Sequence, residues 1–287
     1  MKAIIFGSSG QDGYYLTQLL QTKKIQVIGV SRKNADVIGN IEDKDLVSEL
    51  IKTHQPDYIF HLAANSTTRH DALWDNHAAI STGTLIILEA VKRFSLHSKV
   101  FLSGSALQFK NEGKPIDESA ELVATSPYGV SRNQSLYAGR YYRSLGLKVY
   151  FGYFFNHDSP MRPNRHMAQK IASYCQSISK QTEKLTIGAI DVKKEWTFAG
   201  DIVDAIWILV NQDKVYECIL GSGKAYSIKD WIEICFNLIN YDWNRYVVIE
   251  KGFVPEYDIL VSDPKLLFSL GWLPKVDITE LAKMMLQ

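Results

Sequence analysis

The sequence predicts an α/β fold: a doubly wound, mostly parallel sheet with helices on both faces, followed by a smaller C-terminal α/β lobe. Three observations predict it. Short apolar runs alternate with helical patterns through the first half of the chain. The first such run, at residues 3–6, is apolar without alternation, as a strand buried on both faces of a parallel sheet must be. A turn carrying three glycines, at 7–13, joins that run to the first helical pattern.

Taken in order, residues 3–6 (Ala, Ile, Ile, Phe) form the first strand, which Gly7 ends. Leu16, Leu19 and Leu20 set helical spacing over 14–22. Strands are expected at 25–30, 58–62 and 100–102, with helices at 46–53 and 82–93 between them. A long helix over 128–145 and a strand over 148–154 complete the alternation. Beyond residue 156 the pattern weakens. Pro160 and Pro163 bracket a loop, and helices are expected at 167–179, 201–210 and 228–239. The change of pattern divides the chain into a first unit, 1–155, and a second, 156–287, with segments of the second free to return to the first.

Composition narrows the function classes. At roughly 150 residues per domain, 287 residues fit about two. Lys+Arg 32 against Asp+Glu 31 leaves a formal charge of +1, so a general nucleic-acid grip, which needs a strong basic excess, is excluded. A local anion site is not. Cys175, Cys218 and Cys235 are odd in number and form no CxxC pair, which leaves no zinc or thioredoxin-type site and no expected metal. They read as small buried hydrophobes in a reducing cytoplasm. Residues 2–6 are too short for a signal peptide, and no apolar run approaches the roughly 18 residues of a membrane span.

The glycine turn carries the first chemistry. Gly7, Gly10 and Gly13 make GxxGxxG between a strand and a helix. The first permits the tight turn, the second lets backbone approach a pyrophosphate, and the third lets helix and sheet pack closely. The helix N-terminus then presents free N–H groups to the phosphates. Together these imply a nicotinamide dinucleotide. A carboxylate at the end of the second strand would mark NAD(H); here the chain reads Val30, Ser31, Arg32, Lys33. Two cations suit a 2′-phosphate, so NADP(H) is favoured, with NAD(H) the alternative.

Ser126, Pro127 and Tyr128 open the long helix, with Arg132 one turn on, and His61, Leu62, Ala63 and Ala64 end an earlier strand. With the glycine turn these resemble the extended short-chain dehydrogenase/reductases, a Rossmann-type family. Within it the sequence is most similar to the GDP-mannose 4,6-dehydratases and related nucleotide-sugar enzymes. Residues 10–16 match the family's GQDGxYL, and residues 155–160 read FNHDSP against FNHESP. Glu195 and Trp196 with the run 201–207 resemble DWxxAxDYVxAMW, and 261–264 with 270–275 match the tail GDPxKAxxxLGWxPK. The resemblance implies a homodimer or homotetramer paired through the tyrosine helix, where Tyr137, Tyr141 and Tyr142 offer aromatic surface.

It also implies a set of site residues. Gly7, Gly10, Gln11, Asp12 and Gly13, Arg32 and Lys33, Asn40 and Ile41, Leu62, Ala63 and Ala64, and Tyr128 with Arg132 would hold the cofactor. Asn156, Arg162, Lys170, Lys194 and Glu256 would hold a nucleotide-sugar substrate, expected to be GDP-linked. In the family a tyrosinate takes the proton of the sugar 4-hydroxyl while the C4 hydride leaves, and a lysine four residues on lowers the tyrosine pKa and binds the nicotinamide ribose.

Three departures in the catalytic set and two in the diphosphate set alter that expectation. Arg132 replaces the lysine, keeping charge but changing hydrogen-bond geometry. Gly104 stands where the family has a Ser or Thr, leaving Ser103 or Ser105 to supply the hydroxyl, and Ala106 stands where an acid assists loss of water. Alanine cannot replace a carboxylate in C5–C6 elimination. Lys194 and Phe253 replace two diphosphate arginines. The reading is therefore a C4 oxidoreductase or epimerase that does not dehydrate. The alternative, suggested by the same substitutions, is a non-catalytic nucleotide-sugar or dinucleotide-binding protein. Trp196 and Trp207 are expected in the core.

Overall fold

The structure is a computed structural model describing residues Met1–Gln287. In chain order its first half runs β1 (Lys2–Phe6), α1 (Gln11–Thr22), β2 (Gln26–Ser31), β3 (Val37–Ile38), α2 (Lys44–His54), β4 (Tyr58–His61), α3 (Leu73–Asn76), α4 (Gly83–Phe94), β5 (Lys99–Ser105), α5 (Pro127–Ser144) and β6 (Lys148–Phe154). The second half runs β7 (His157–Asp158), α6 (Met167–Gln176), β8 (Leu185–Ile187), β9 (Lys193–Glu195), β10 (Thr197–Phe198), α7 (Ala199–Val210), β11 (Glu217–Leu220), β12 (Ala225–Ser227), α8 (Ile228–Leu238), β13 (Val247–Ile249), β14 (Ile259–Leu260), α9 (Lys265–Ser269) and α10 (Ile278–Leu286).

Seven strands form one parallel sheet in the order β11-β6-β5-β4-β1-β2-β3. The chain starts in the middle at β1, winds outward through β2 and β3, then crosses back to β4 and winds the other way. Such a reversal opens a crevice at the carboxyl ends of β1 and β4, where α/β sheets bind ligands. Each face is covered by helices. Ile4, Val30 and Val100 pack with Val47, Ile87 and Leu136 of α2, α4 and α5; Ile5, Phe60 and Phe101 pack with Leu16 and Leu20 of α1 and Ile202 and Ile206 of α7. The strands are apolar on both faces for this reason.

The pattern at 201–210 is helical as expected, but its place could not be read from the sequence. α7 returns from the second half to lie on α1, and β11 adds the seventh strand. The smaller lobe has its own core, in which Trp231, Ile232 and Phe236 of α8 meet Ile171 of α6 and Leu281 of α10. Trp196 stacks on Trp231 at 4.7 Å, and Trp207 packs on Tyr58, so both tryptophans are packing residues. All three cysteines are free and buried. No helix is long and apolar enough to cross a membrane.

Two local features shape the crevice. Gly7 has φ +93°, and a Cβ there would lie 2.7 Å from the Ala63 amide nitrogen, so the turn after β1 touches the backbone after β4. The helix ahead of α4 widens into a π-helical turn at His77–Thr82, whose Ile80 carbonyl faces the buried His61 ring at 3.4 Å. Burial and the nearby Arg132 charge push His61 down to about 3, so its ring is neutral.

Candidate active site

The crevice is one continuous cleft with two compartments of about 390 and 410 Å³, which share Gly7, Ser9, Gly10, Leu62 and Ala64. That size suits a pair of small-molecule ligands. The compartment over β2 is lined by Ser31, Arg32, Asn40, Ile41 and Ala63. Lys33 is exposed on the turn beyond and does not line it. The other compartment is lined by Gln11, Asp12, Gly13, Ser103, Ser105, Tyr128, Arg132, Asn156, Arg162 and Glu256.

The glycine turn fits a dinucleotide diphosphate. Gly10 caps α1 without any side-chain hydrogen bond, so the helix's first N–H groups lack a side-chain partner there. A Cβ at Gly13 would lie 2.3 Å from the Gly7 carbonyl, so only glycine lets the helix start this close to the strand. Two buried polar atoms lining the cleft, Arg132 Nε and Asn156 Oδ1, have no partner within the chain. Such orphans are uncommon in native interiors and mark where a polar ligand belongs.

Tyr128 sits in the first turn of α5, which Ser126 caps at 3.1 Å from Gly129 N with Pro127 next. Arg132 follows one turn later, buried, with its guanidinium carbon 5.0 Å from the Tyr128 ring centre. Its Nη1 donates to the Ser103 carbonyl and, at 2.8 Å, to Ser103 Oγ. No carboxylate bonds it. A buried guanidinium held only by neutral oxygens is poised to meet a negative charge in the cleft, whether on Tyr128 or on a ligand.

Of the two serines expected to supply a hydroxyl, Ser103 is engaged both as donor and as acceptor, whereas Ser105 uses only a lone pair and keeps its O–H for the cleft it lines. Ser103 Oγ donates to the His61 carbonyl at 2.9 Å while it receives Arg132, and Ser105 Oγ accepts from Leu107 N at 3.2 Å in a capping box with Gln108. There is no room for a side chain at Gly104, since a Cβ there would lie 2.2 Å from the Phe151 ring and 2.8 Å from Gln108 Oε1. Ala106 is buried. Two carboxylates line this compartment, and both are tethered: Asp12 to His157 at 2.9 Å and Glu256 to Thr68 Oγ1 at 2.8 Å.

On the substrate side, Asn156 and Arg162 reach the cleft, joined by Arg165 and His166. Burial and the charges of Arg162, Arg165 and Lys194 push His166 down to about 4. Lys194 does not line the cleft: it lies over the Trp196 ring at 4.4 Å, its pKa lowered by burial and by the charge of Arg162, which does. Such a cluster of cations suits a polyphosphate. Lys170 is not part of it: its ammonium donates to the Thr186 carbonyl at 2.8 Å, outside the cleft. Phe253 packs over Gly188, where a Cβ would lie 2.6 Å from the ring. Sequence reading missed Thr68, Arg165, His166 and the pairing of His157 with Asp12. His157 alone carried a signal, because it sits inside the matched FNHDSP run.

A model of the family described as GDP-mannose 4,6 dehydratase matches residues 4–285. The GDP-mannose 4,6 dehydratase 1 of Arabidopsis thaliana is 28% identical over 317 residues, which cover 99% of this chain and 88% of that protein. Among solved structures, RMD from Pseudomonas aeruginosa complexed with NADPH superimposes with a TM-score of 0.88 at 19% identity, covering 99% and 97% of the two chains. The UDP-glucose 4-epimerase of Thermus thermophilus in complex with NAD gives a TM-score of 0.85 at 18% identity, covering 100% and 98%.

Proposed function

The chain belongs to the GDP-mannose 4,6 dehydratase family, and from that membership we propose that it is an NADP(H)-dependent enzyme moving a hydride at C4 of a nucleotide sugar without removing water. The observation that carries this reading is the grouping of Tyr128, Arg132 and Ser103 beside the glycine turn in one cleft. The relatives reported above bear enzyme names, and nothing in them favours the non-catalytic alternative.

When bound, the nicotinamide supplies the site that accepts or gives the hydride. The chain does the rest. Tyr128 exchanges a proton with the sugar 4-oxygen. Arg132, fixed by Ser103 and set against the Tyr128 ring, orients the cofactor ribose, with its free Nε as the spare donor. Asn156 and Arg162, which line the cleft, hold the diphosphate, with the charge of Lys194 added from outside the lining, and Glu256 holds the nucleoside ribose, for which GDP is the favoured nucleotide. Elimination needs a base at C5 and an acid at the 6-hydroxyl. Asp12 is paired with His157, Glu256 is the residue assigned to the nucleoside ribose, and β5 ends without a carboxylate.

Arg32 lines the compartment over β2 and is the group we assign to a 2′-phosphate. Removing one charge-assisted contact weakens binding by about 1.5–3 kcal/mol, roughly ten- to hundredfold. Calorimetry on Arg32→Ala is expected to show that loss for NADPH and little change for NADH. Equal losses for both would count against the assignment.

The partner we propose is a second copy of the chain, paired through α4 and α5. Tyr137 and Tyr141 are 57% and 59% exposed on the outer face of α5, and Leu85 is exposed on α4. Tyr142 is not part of that face: it is buried, and its hydroxyl bonds Glu89 within the subunit. Light scattering at micromolar concentration should give a dimer or tetramer, and Tyr137→Asp with Tyr141→Asp should shift it to monomer. A wild-type monomer would refute the pairing.

A further inference from the structure

The glycine turn and the segment after β6 are tied by a contact that the hydride chemistry does not use. His157 Nε2 lies 2.9 Å from Asp12 Oδ1, in the first turn of α1, and His157 Nδ1 lies 2.8 Å from the Phe155 carbonyl. Both neighbours accept hydrogen bonds. The carbonyl has no proton to give. Burial would raise the Asp12 pKa, but the charges of His157 and Arg162 outweigh it and hold the carboxyl at about 2. Each ring nitrogen must therefore donate, which only the imidazolium can do. Burial also works against charge on His157, yet the Asp12 carboxylate and the Phe155 carbonyl raise its pKa despite Arg162.

From this pair the connection continues to both halves of the cleft. Beside it, Ser159 Oγ donates to Gln11 Oε1 at 2.8 Å. Beyond it, Arg162 donates to the His157 carbonyl at 2.9 Å and to the Asp158 carboxylate at 3.2 Å. β7 pairs with β10, and the partner of His157 there is Thr197, the residue directly after Trp196 of the Lys194–Trp196 contact. Asp12, His157 and Arg162 all line the cleft.

We propose that the Asp12–His157 ion pair is a positioning device that registers the cationic substrate loop on the cofactor's phosphate turn, so that dinucleotide and nucleoside diphosphate bind cooperatively. This rests on the reading that the glycine turn takes NADP(H) and the Arg162 side takes the diphosphate of a nucleotide. A pyrophosphate at the N-terminus of α1 fixes the turn that bears Gln11 and Asp12. Through the imidazolium it fixes β7 and Arg162 as well. The second ligand then meets a loop already ordered, and by linkage each ligand tightens the other equally.

The charged groups acting on His157 are Asp12 from α1 and Arg162 from its own segment; beyond Arg162 lie Asp158, Lys194 of β9 and His166. Asp12 titrates near 2 and His166 near 4, both below the neutral range. A group whose pKa is raised on folding contributes fully below its ordinary value, 6.5 here, and loses that contribution as pH rises through the folded value. The cooperativity therefore weakens from neutral to alkaline pH.

The test titrates NADPH into the full chain by calorimetry, alone and with saturating GDP or UDP in separate arms. In the wild type one nucleotide is expected to tighten NADPH at least about fivefold, by a factor that shrinks as pH rises. His157→Gln, whose amide donates to Asp12 at any pH, should retain part of the factor and lose its pH dependence. His157→Ala should abolish the factor while still binding NADPH alone; Asp12→Ala, at a residue of the phosphate turn itself, should abolish it too, at whatever NADPH affinity it retains. Alanine variants that melt earlier yet keep the full factor would reduce the pair to a brace and overturn the proposal. If they do not fold, the wild-type pH series decides, and a factor that is flat or rises with pH overturns it. NADPH binding with no coupling to either nucleotide overturns this inference alone. A wild-type chain that binds neither NADPH nor NADH overturns the proposed function as well.

Discussion

Tyr128→Phe is expected to lower turnover at least about 100-fold, the lower end of what a positioned acid or base contributes. The substitution removes one oxygen from a side chain that is 8% exposed and leaves the ring against the Arg132 guanidinium, so the fold and the cofactor site are kept. The rate would be followed as nicotinamide absorbance on a panel of GDP-, UDP-, CDP- and dTDP-sugars, using whichever the wild type turns over. Mass analysis of the wild-type product is part of the same experiment. The tethered carboxylates and the alanine at 106 predict a product that keeps the elements of water. A 4-keto-6-deoxy product would show that another carboxylate performs the elimination. A Tyr128→Phe variant with near-normal turnover would remove the tyrosine from the mechanism.

Glu195→Ala is expected to lower stability by about 3–5 kcal/mol, among the larger effects of a single substitution. Glu195 is fully buried at the end of β9 and accepts five hydrogen bonds: from Ser222 N and Oγ at 2.5 and 3.1 Å, from Gly223 N at 3.2 Å, and from Ser262 N and Oγ at 2.7 and 2.5 Å. One carboxylate thus ties β9 of the lobe to the loop after β11 of the large sheet and to the segment after β14. Alanine leaves the buried Ser262 N–H and the part-buried Ser222 N–H short of an acceptor, each loss costing about 1–3 kcal/mol. The melting temperature should fall by roughly 2–4 °C for each kcal/mol lost. A change within a degree would show that water replaces the carboxylate without penalty.

The large sheet was legible because its signals are local. Strands buried on both faces must be apolar throughout, as residues 3–6 are, and a turn that must let backbone touch backbone at Ala63 must hold glycine at position 7. The same holds for α5, whose cap, proline and tyrosine follow one another in the chain. The glycine turn and the end of β2, which line the compartment proposed for the cofactor, were legible for the same reason, since they lie within about one βαβ unit.

What the sequence could not decide is where the second half goes. α7 and β11 show ordinary helical and apolar patterns, and only packing puts α7 on α1 and β11 beside β6. The site shows the same limit. Ser103 and Ser105 flank the matched position and Lys170 has the right charge, but the hydrogen bonds of Ser103 to His61 and Arg132, of Ser105 to Leu107 and of Lys170 to Thr186 are made by the fold. Asp12 and His157 are 145 residues apart, and neither is unusual in its own segment. Local sequence determines which backbone conformations and which faces are available. Which side chains share a hydrogen bond across the cleft depends on distances that exist only once the sheet has closed and both lobes are packed.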